Sequence, residues 1–284
     1  MSKRLRVAVL GSTGGWHAKR LEHALTSRGH TCDFAPVTRM VGRIDGAPGI
    51  DGLDACDVVI VRGIPRGSLE QVIFRVDALH VLAARDVRVV NSAAAIERTV
   101  DKFLASALLA AAGIPTPRTI ACERAADAVA AFEALGGDVV VKPLFGSMGL
   151  GMARVDDPDV AERVFRALEL ERAVYYLQET RSGRDVRAFV VGERVVGAIE
   201  RRGDGWRANL ARGARAEPVS LSADEAALCV RACAVVGADY AGVDLLGGDV
   251  IEVNGIPGWS GVARACGVDV AGELVQHVER VVAS

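Results

Sequence analysis

Three oxygen-bearing side chains stand close together in the segment Gly242-Val-Asp244-Leu-Leu-Gly-Gly-Asp-Val-Ile-Glu252-Val-Asn254. Two apolar stretches meeting at a glycine pair read as a hairpin, and strand alternation puts Glu252 and Asn254 on one face. Whether Asp244 joins them depends on the parity of the turn. A two-residue turn at 247–248 would pair Asp244 with Ile251 and send its carboxylate to the opposite face. A three-residue loop, 247–249 with a glycine in the left-handed region, pairs Asp244 with Glu252. We expect the three-residue loop, because otherwise the carboxylate sits among aliphatic neighbours with no partner. Two carboxylates and an amide oxygen on one face form a hard-oxygen site suited to Mg²⁺ shared with nucleotide phosphates. The plain alternative is a solvated polar face.

Lysine is the second signal. Of 34 basic residues only Lys3, Lys19, Lys102 and Lys142 are lysines, so a lysine inside a structured segment calls for a reason. Lys142 ends the apolar strand Asp138-Val-Val-Val-Lys-Pro143, and buried alone it would lose much hydration, so it should face an anion. The loop that follows carries Gly146, Ser147, Met148, Gly149 and Gly151, and its backbone N–H groups can wrap phosphate oxygens. It is not the GxxxxGK[ST] arrangement, and a hairpin with a snorkelling lysine is the alternative. The strand 174–179 ends in Gln178 and Glu179, at a connection that can offer polar groups to a planar nucleobase. Further on, Arg187, Arg201, Arg202, Arg207, Arg212 and Arg215, with Asn209 among them, make a local arginine excess that points to an acidic substrate. About half of these arginines are expected to be solvated surface. The Gly11-Ser-Thr-Gly-Gly15 turn lacks GxGxxG spacing, and Arg62 rather than a carboxylate ends the later strand, so we expect a tight structural turn near a substrate and no dinucleotide site.

These residues need elements to hold them. Strands at 5–10, 31–37, 57–62 and 87–91, with a helix after the first glycine turn and another around 68–84, describe a small parallel α/β unit, domain 1–97. A helix over Thr99–Ala112 opens domain 98–180, a smaller α+β unit with strands at 118–121, 138–143, 152–155 and 174–179 and helices at 124–135 and 158–169. Domain 181–284 is mainly antiparallel, with strands at 185–191, 194–202, 240–246 and 250–254 and a helix at 222–236. The 284 residues are 50% apolar and 25% charged, and 34 basic against 36 acidic residues leave a net charge of -2, so we expect no nucleic-acid partner. No run approaches ~18 apolar residues and the N-terminal apolar stretch is too short for a signal peptide, so the reading is cytoplasmic, with no membrane contact. Six cysteines without a CxxC pair are expected to be free thiols, with Cys229 and Cys233 inside a helix.

Taken together, Asp101-Lys102-Phe103, Val141-Lys142-Pro143-Leu144, the loop 146–151, Gln178-Glu179, Asp185-Val-Arg187-Ala-Phe-Val-Val-Gly192, Trp206-Arg-Ala-Asn209-Leu and the Asp244, Glu252 and Asn254 motif resemble the ATP-grasp superfamily, and within it the RimK-like α-L-glutamate ligases. The resemblance spans essentially the whole chain. It implies the three-domain ATP-grasp fold, with domain 98–180 as the lid, and an ATP-dependent ligase. Carried over by position, Lys102, Lys142 and the glycine-rich loop grip ATP phosphates, and Gln178 and Glu179 meet adenine. Arg187, Arg207 and Asn209 face phosphate, metal or substrate, while Asp244, Glu252 and Asn254 hold two Mg²⁺ ions, or Mn²⁺ in their place. Arg201 would stabilise an acyl phosphate, with Lys142 and Arg207 neutralising charge on the transferring group; Arg212 or Arg215 would hold a glutamate carboxylate. Arg62-Gly-Ile-Pro-Arg-Gly-Ser-Leu-Glu-Gln71, Phe74-Arg-Val-Asp-Ala-Leu-His80 and Val253-Asn-Gly-Ile-Pro-Gly-Trp259 look more narrowly like the ligases that append L-glutamate to tetrahydromethanopterin-type one-carbon carriers. A protein tail or amino-group carrier protein as acceptor, and a catalytically silent nucleotide-binding regulator, are the alternatives. A homo-oligomer is the expected state.

Overall fold

The computed structural model describes residues 3–146, 150–203 and 215–283. Its first layer follows from short valine-rich strands alternating with helices. These are β1 (Arg6–Leu10), α1 (Trp16–Ser27), β2 (Thr31–Ala35), a small hairpin of β3 (Gly42–Arg43) and β4 (Gly49–Ile50), β5 (Val58–Val61), α2 (Leu69–Ala83) and β6 (Arg88–Val90). The sheet order is β2-β1-β5-β6, all parallel. All four residues of β5 are buried, as a parallel strand covered on both faces requires.

The sequence predicts one helix over Thr99–Ala112, and the structure divides that segment. Helix α3 (Ala93–Val100) stops at Asp101, and α4 (Lys102–Ala111) begins after it. Asp101 has an extended backbone, and its carboxylate accepts hydrogen bonds from the Phe103 and Leu104 N–H groups at 2.9 and 3.0 Å. An aspartate satisfies the free donors of a new helix start better than it serves a helix interior, so the chain restarts there. The consequence is functional: Lys102 becomes the first residue of a helix.

A second sheet is wholly antiparallel. Its elements are β7 (Thr119–Cys122), α5 (Ala125–Ala134), β8 (Val139–Lys142), β9 (Ala153–Val155), α6 (Pro158–Leu170) and β10 (Tyr175–Glu179), with strand order β7-β10-β8-β9. Alternation splits it into two chemistries. Val139, Val141, Tyr175 and Leu177 form one face and pack with Phe132 and Phe165 of the covering helices. Lys142 stands directly across from Tyr176, and Thr119 across from Gln178, on the other face.

The third sheet is β13-β12-β11-β14-β15, from β11 (Asp185–Val191), β12 (Arg194–Arg202), β13 (Arg215–Pro218), β14 (Tyr240–Leu246) and β15 (Asp249–Asn254), with α7 (Ala223–Val235) on one face. β13 and the closing helices α8 (Ser260–Cys266) and α9 (Val270–Ala283) go beyond the sequence reading. Parallel and antiparallel sheets therefore coexist, as expected. Val7, Leu25 and Ile60 of the first sheet's layer share one core with Phe189, Tyr240 and Leu274, whereas the second sheet has a core of its own. Among the described residues no helix is long and apolar enough to cross a membrane. All six cysteines are unpaired.

Asn91 fastens the first sheet to the third. It is 0% exposed. Its amide nitrogen donates to the carbonyls of Tyr240 and Gly255 at 2.8 and 2.6 Å, and its oxygen accepts from the N–H groups of Asp239 and Tyr240 at 2.6 and 3.1 Å. Removing it leaves four buried backbone groups unsatisfied, so Asn91→Ala is expected to lower stability by about 3 kcal/mol or more in urea unfolding, at unchanged m-value. A loss below about 1 kcal/mol would show that water replaces the amide.

Candidate active site

The face of the second sheet that carries Lys142 is polar but closed to water. Lys142 is 9% exposed and Gln178 2%. The Lys142 Nζ donates to Gln178 Oε1 at 2.5 Å and lies 5.9 Å from the centre of the Tyr176 ring. Burial pushes its ammonium down to about 8; Lys102 acts in the same direction, while the carboxylates of Glu252 and Asp244 oppose the fall. Lys102 approaches from α4, donating its Nζ to the Gly146 carbonyl at 2.8 Å. Burial lowers its pKa too, against Glu252 and Asp101. Glu252 thus acts on both lysines, which are remote in sequence. On the loop after β8, Gly151 has φ +76°, and a Cβ there would lie 2.8 Å from Pro143 Cγ, so the chain folds back over Pro143 only with glycine at that position.

The carboxylates come from the β14–β15 hairpin, by a route the sequence reading did not take. The turn is the two-residue one: Leu246 pairs with Asp249 around Gly247 and Gly248, at φ +61° and +98°. A register shift then follows between Asp244 and Leu245. Leu245 faces Val250, and Asp244 faces Glu252, so Ile251 is the extra residue of a β-bulge. The expected pairing of Asp244 with Glu252 is present, and the bulge rather than a longer loop restores the parity.

Asp244 is buried and does not stand alone. Arg187, its cross-strand partner on β11, grips it with two 2.6 Å hydrogen bonds. Arg201 adds a third at 3.2 Å from Nη1, while its Nε and Nη2 reach Asp185 at 2.9 and 2.5 Å. Burial would raise the Asp244 pKa, but Arg187 and then Arg201 overcome it and hold the carboxyl below the ordinary range. The charge of Asp244 in turn raises Arg187. Asp185 goes the other way, raised by burial against the pull of Arg201. Glu252 makes no ion pair among the described residues. Asn254 accepts from the Ile256 N–H at 3.0 Å through its Oδ1.

Two carboxylates and an amide oxygen fit a hard divalent cation. Among the described residues no three His, Cys, Asp or Glu side chains converge as a metal cluster. A cation at Asp244 and Glu252 would take its remaining donors from Asn254, from water or from a ligand's oxygens, and would share Asp244 with Arg187.

Several expected residues are engaged elsewhere. The side chain of Gln178 is expected at adenine, yet its amide is enclosed by Lys142, Thr119 and Tyr176. The Glu179 carboxylate accepts from the backbone and guanidinium of Arg118 at 2.7 and 2.9 Å and from Arg181 at 2.8 Å, so its side chain ties strands together. Arg202 pairs with Glu200 and Glu217 on the surface, and Arg215 is exposed on β13. Ser147, Met148, Gly149, Arg207, Asn209 and Arg212 lie outside the described residues.

The sequence names Arg62 only as the end of a strand and the start of a motif, and the structure gives it a task. Arg62, at the end of β5, donates to Tyr240 Oη at 3.1 Å and to the Pro257 carbonyl at 2.9 Å, and its guanidinium stacks 4.1 Å from the Trp259 ring centre. His17, after the first glycine turn, accepts from the Trp259 N–H at 3.1 Å, and burial followed by Arg62 and Arg264 lowers its pKa to about 4. The Gly255–Trp259 stretch is thus held from the first sheet. Both partners were legible in the sequence, Arg62 and the Val253–Trp259 ending, but their contact with each other was not.

A family model described as the RimK-like ATP-grasp domain matches residues 99–278. The chain is 34% identical over 265 residues to the tetrahydromethanopterin:α-L-glutamate ligase of Methanosarcina acetivorans, covering 81% of this chain and 82% of that one. It is 34% identical to a probable α-L-glutamate ligase of Serratia proteamaculans, over 97% of this chain and 96% of that one. Among solved structures, the ATP-grasp ligase PsnB complexed with minimal precursor, Mg and ADP superposes with TM-score 0.76 over 98% of each chain at 24% identity, a likeness of fold.

Lys142 should titrate near pH 8, where an ordinary lysine does so near 10.5. Its positive charge is full below that value and fades above it, so attraction for an anion weakens as pH rises through 8. ¹³C NMR of labelled lysine side chains should show one resonance with this midpoint, absent in Lys142→Met. A titration above pH 10 would mean that the ammonium is solvated.

Proposed function

This chain belongs to the RimK-like ATP-grasp family of ATP-dependent carbon–nitrogen ligases, and we propose that it joins the amine of L-glutamate to the carboxylate tail of a small tetrahydromethanopterin-like cofactor. The observation that supports this reading is the electrostatic convergence of Lys102 and Lys142 on Glu252, with Asp244 also acting on Lys142, two cations and a hard-oxygen pair brought together from four separate elements. The relative that acts on tetrahydromethanopterin supports the choice of acceptor, as does the Arg62–Gln71 segment, whose Arg62 fixes the Gly255–Trp259 stretch.

A carboxylate is a poor electrophile in water and has to be activated. The acceptor carboxylate attacks the γ-phosphorus of ATP, the bond to the β-bridging oxygen breaks, and an acyl phosphate and ADP result. Lys142 and Lys102 draw the phosphate oxygens into line and neutralise charge that grows on them. Asp244, Glu252 and Asn254 are the residues to hold Mg²⁺. When bound, the ion neutralises phosphate charge that the lysines do not reach; a pair of ions, or Mn²⁺, suits the same donors. Arg201 lies beside Asp244 and can turn its guanidinium to an acyl phosphate oxygen. The amine of glutamate then attacks the acyl carbon, phosphate leaves, and the amine loses its proton to give the amide. Residues 98–180 act as the lid that excludes water from the acyl phosphate. The unpaired cysteines suit a cytoplasmic setting.

Incubation with ATP, Mg²⁺, glutamate and a pterin acceptor should yield a product heavier by one glutamyl unit in mass spectrometry, with one ADP released per bond. Labelling of a protein tail instead would transfer the activity to a macromolecular acceptor, and no acceptor-dependent ADP release would refute a ligase. Lys142→Ala should lower kcat/KM at least about 100-fold while keeping the fold, judged by circular dichroism. Asp244→Asn should shift the Mg²⁺ titration at least about tenfold upward, and an unchanged curve would remove Asp244 from the metal set.

A further inference from the structure

The hydrogen bonds around Lys142 form a continuous chain. Thr119 donates its hydroxyl to the Pro117 carbonyl at 3.0 Å, which leaves its oxygen to accept from Gln178 Nε2 at 3.1 Å. Gln178 Nε2 also donates to Tyr176 Oη at 3.2 Å, and Tyr176 Oη shares a 2.8 Å hydrogen bond with Ser106 Oγ. With both amide hydrogens spent on hydroxyl acceptors, the Gln178 oxygen has one orientation, and it points at Lys142 Nζ, 2.5 Å away. The chain is nearly closed to solvent, since Tyr176 is 1% exposed and Gln178 2%. It also leaves the second sheet: Ser106 belongs to α4, the helix whose first residue is Lys102.

We propose that the Ser106–Tyr176–Gln178 chain is a positioning device for Lys142, setting the separation of its ammonium from that of Lys102 so that both meet one polyphosphate. Gln178 and Tyr176 are positioning residues, and Gln178 acts through the lysine without its side chain touching the nucleobase. An amide suits this task because it accepts strongly from an ammonium without cancelling the charge, where a glutamate would pair with it. This rests on the reading that Lys142 grips nucleotide phosphate.

Calorimetric binding of Mg·ADP to the full chain separates the two claims. Lys142→Met should weaken binding at least about tenfold, about the effect of losing one hydrogen bond to a charged group. Gln178→Met and Tyr176→Phe should each weaken it by about three- to tenfold alone, and should add nothing in the Lys142→Met background, the non-additivity of groups that act through one another. Equal losses in both backgrounds would mean that Gln178 touches the nucleotide itself, and full affinity in both single variants would mean that the chain positions nothing; either overturns the proposal. Wild-type affinity in Lys142→Met would instead bring down the phosphate-grip reading on which it stands. Tyr176→Phe keeps the ring and volume, so it carries the test if Gln178→Met unfolds.

Discussion

An ammonium removed from water needs something in place of its hydration, and Lys142 is given an amide. A carboxylate at that position would satisfy the ammonium better but would also neutralise it. Gln178 accepts one strong hydrogen bond and adds no charge, and Glu252 acts from a distance. The lysine stays cationic below about pH 8 and incompletely compensated. That imbalance costs stability in the free protein and is relieved when an anion arrives. Much of the central sheet's polar face follows from this requirement: Tyr176 presents its ring, and Thr119 and Ser106 close the hydrogen bonds that hold the amide in one orientation.

The carboxylate side solves the opposite problem by over-compensation. Asp185, Arg201, Asp244 and Arg187 form a ladder in which acid and base are linked in turn, each arginine spanning carboxylates or holding one bidentately. Such a ladder keeps Asp244 ionised despite complete burial. Among the described residues it leaves Glu252 as a carboxylate without an ion pair, acting on two lysines. A cation bound with a polyphosphate matches this asymmetry, its positive charge against Glu252 and Asp244 and its phosphates against Lys142 and Lys102.

The residue types of the site were legible in the sequence because rare residues stood out: four lysines in an arginine-rich chain, and Asn254 among three asparagines. Relative placement was less so. The pairing of Asp244 with Glu252 was correctly anticipated through a longer turn, while the chain uses a two-residue turn and a bulge at Ile251. Only the parity is encoded in the alternation, and both routes satisfy it. The inward turn of Gln178 was hidden because it depends on Thr119 and Ser106, far away in sequence, and on a strand register no local pattern specifies. The split of the 99–112 helix was readable in principle, since Asp101 before Lys102 is a strong N-cap. Helix propensity on both sides obscured it.

The cores explain why hydrogen bonds have to set the spacing of the two lysines. Leu109 of α4 is buried with Val243 and Val253 in the core of the third sheet, so Lys102 is carried by that body. Lys142 is carried by the second sheet, whose core of Phe132, Phe165 and Leu177 is separate. Apolar packing therefore fixes each lysine within its own body. Among the described residues polar bonds join the two: Ser106 to Tyr176, Lys102 Nζ to the Gly146 carbonyl, and the Lys102 N–H to the Leu144 carbonyl at 3.4 Å. Hydrogen bonds are directional where packing is not, and they can be exchanged for bonds to a ligand without opening either core. A site that has to grip and release a polyphosphate is better served by such a joint than by a shared hydrophobic core, which resists small displacements.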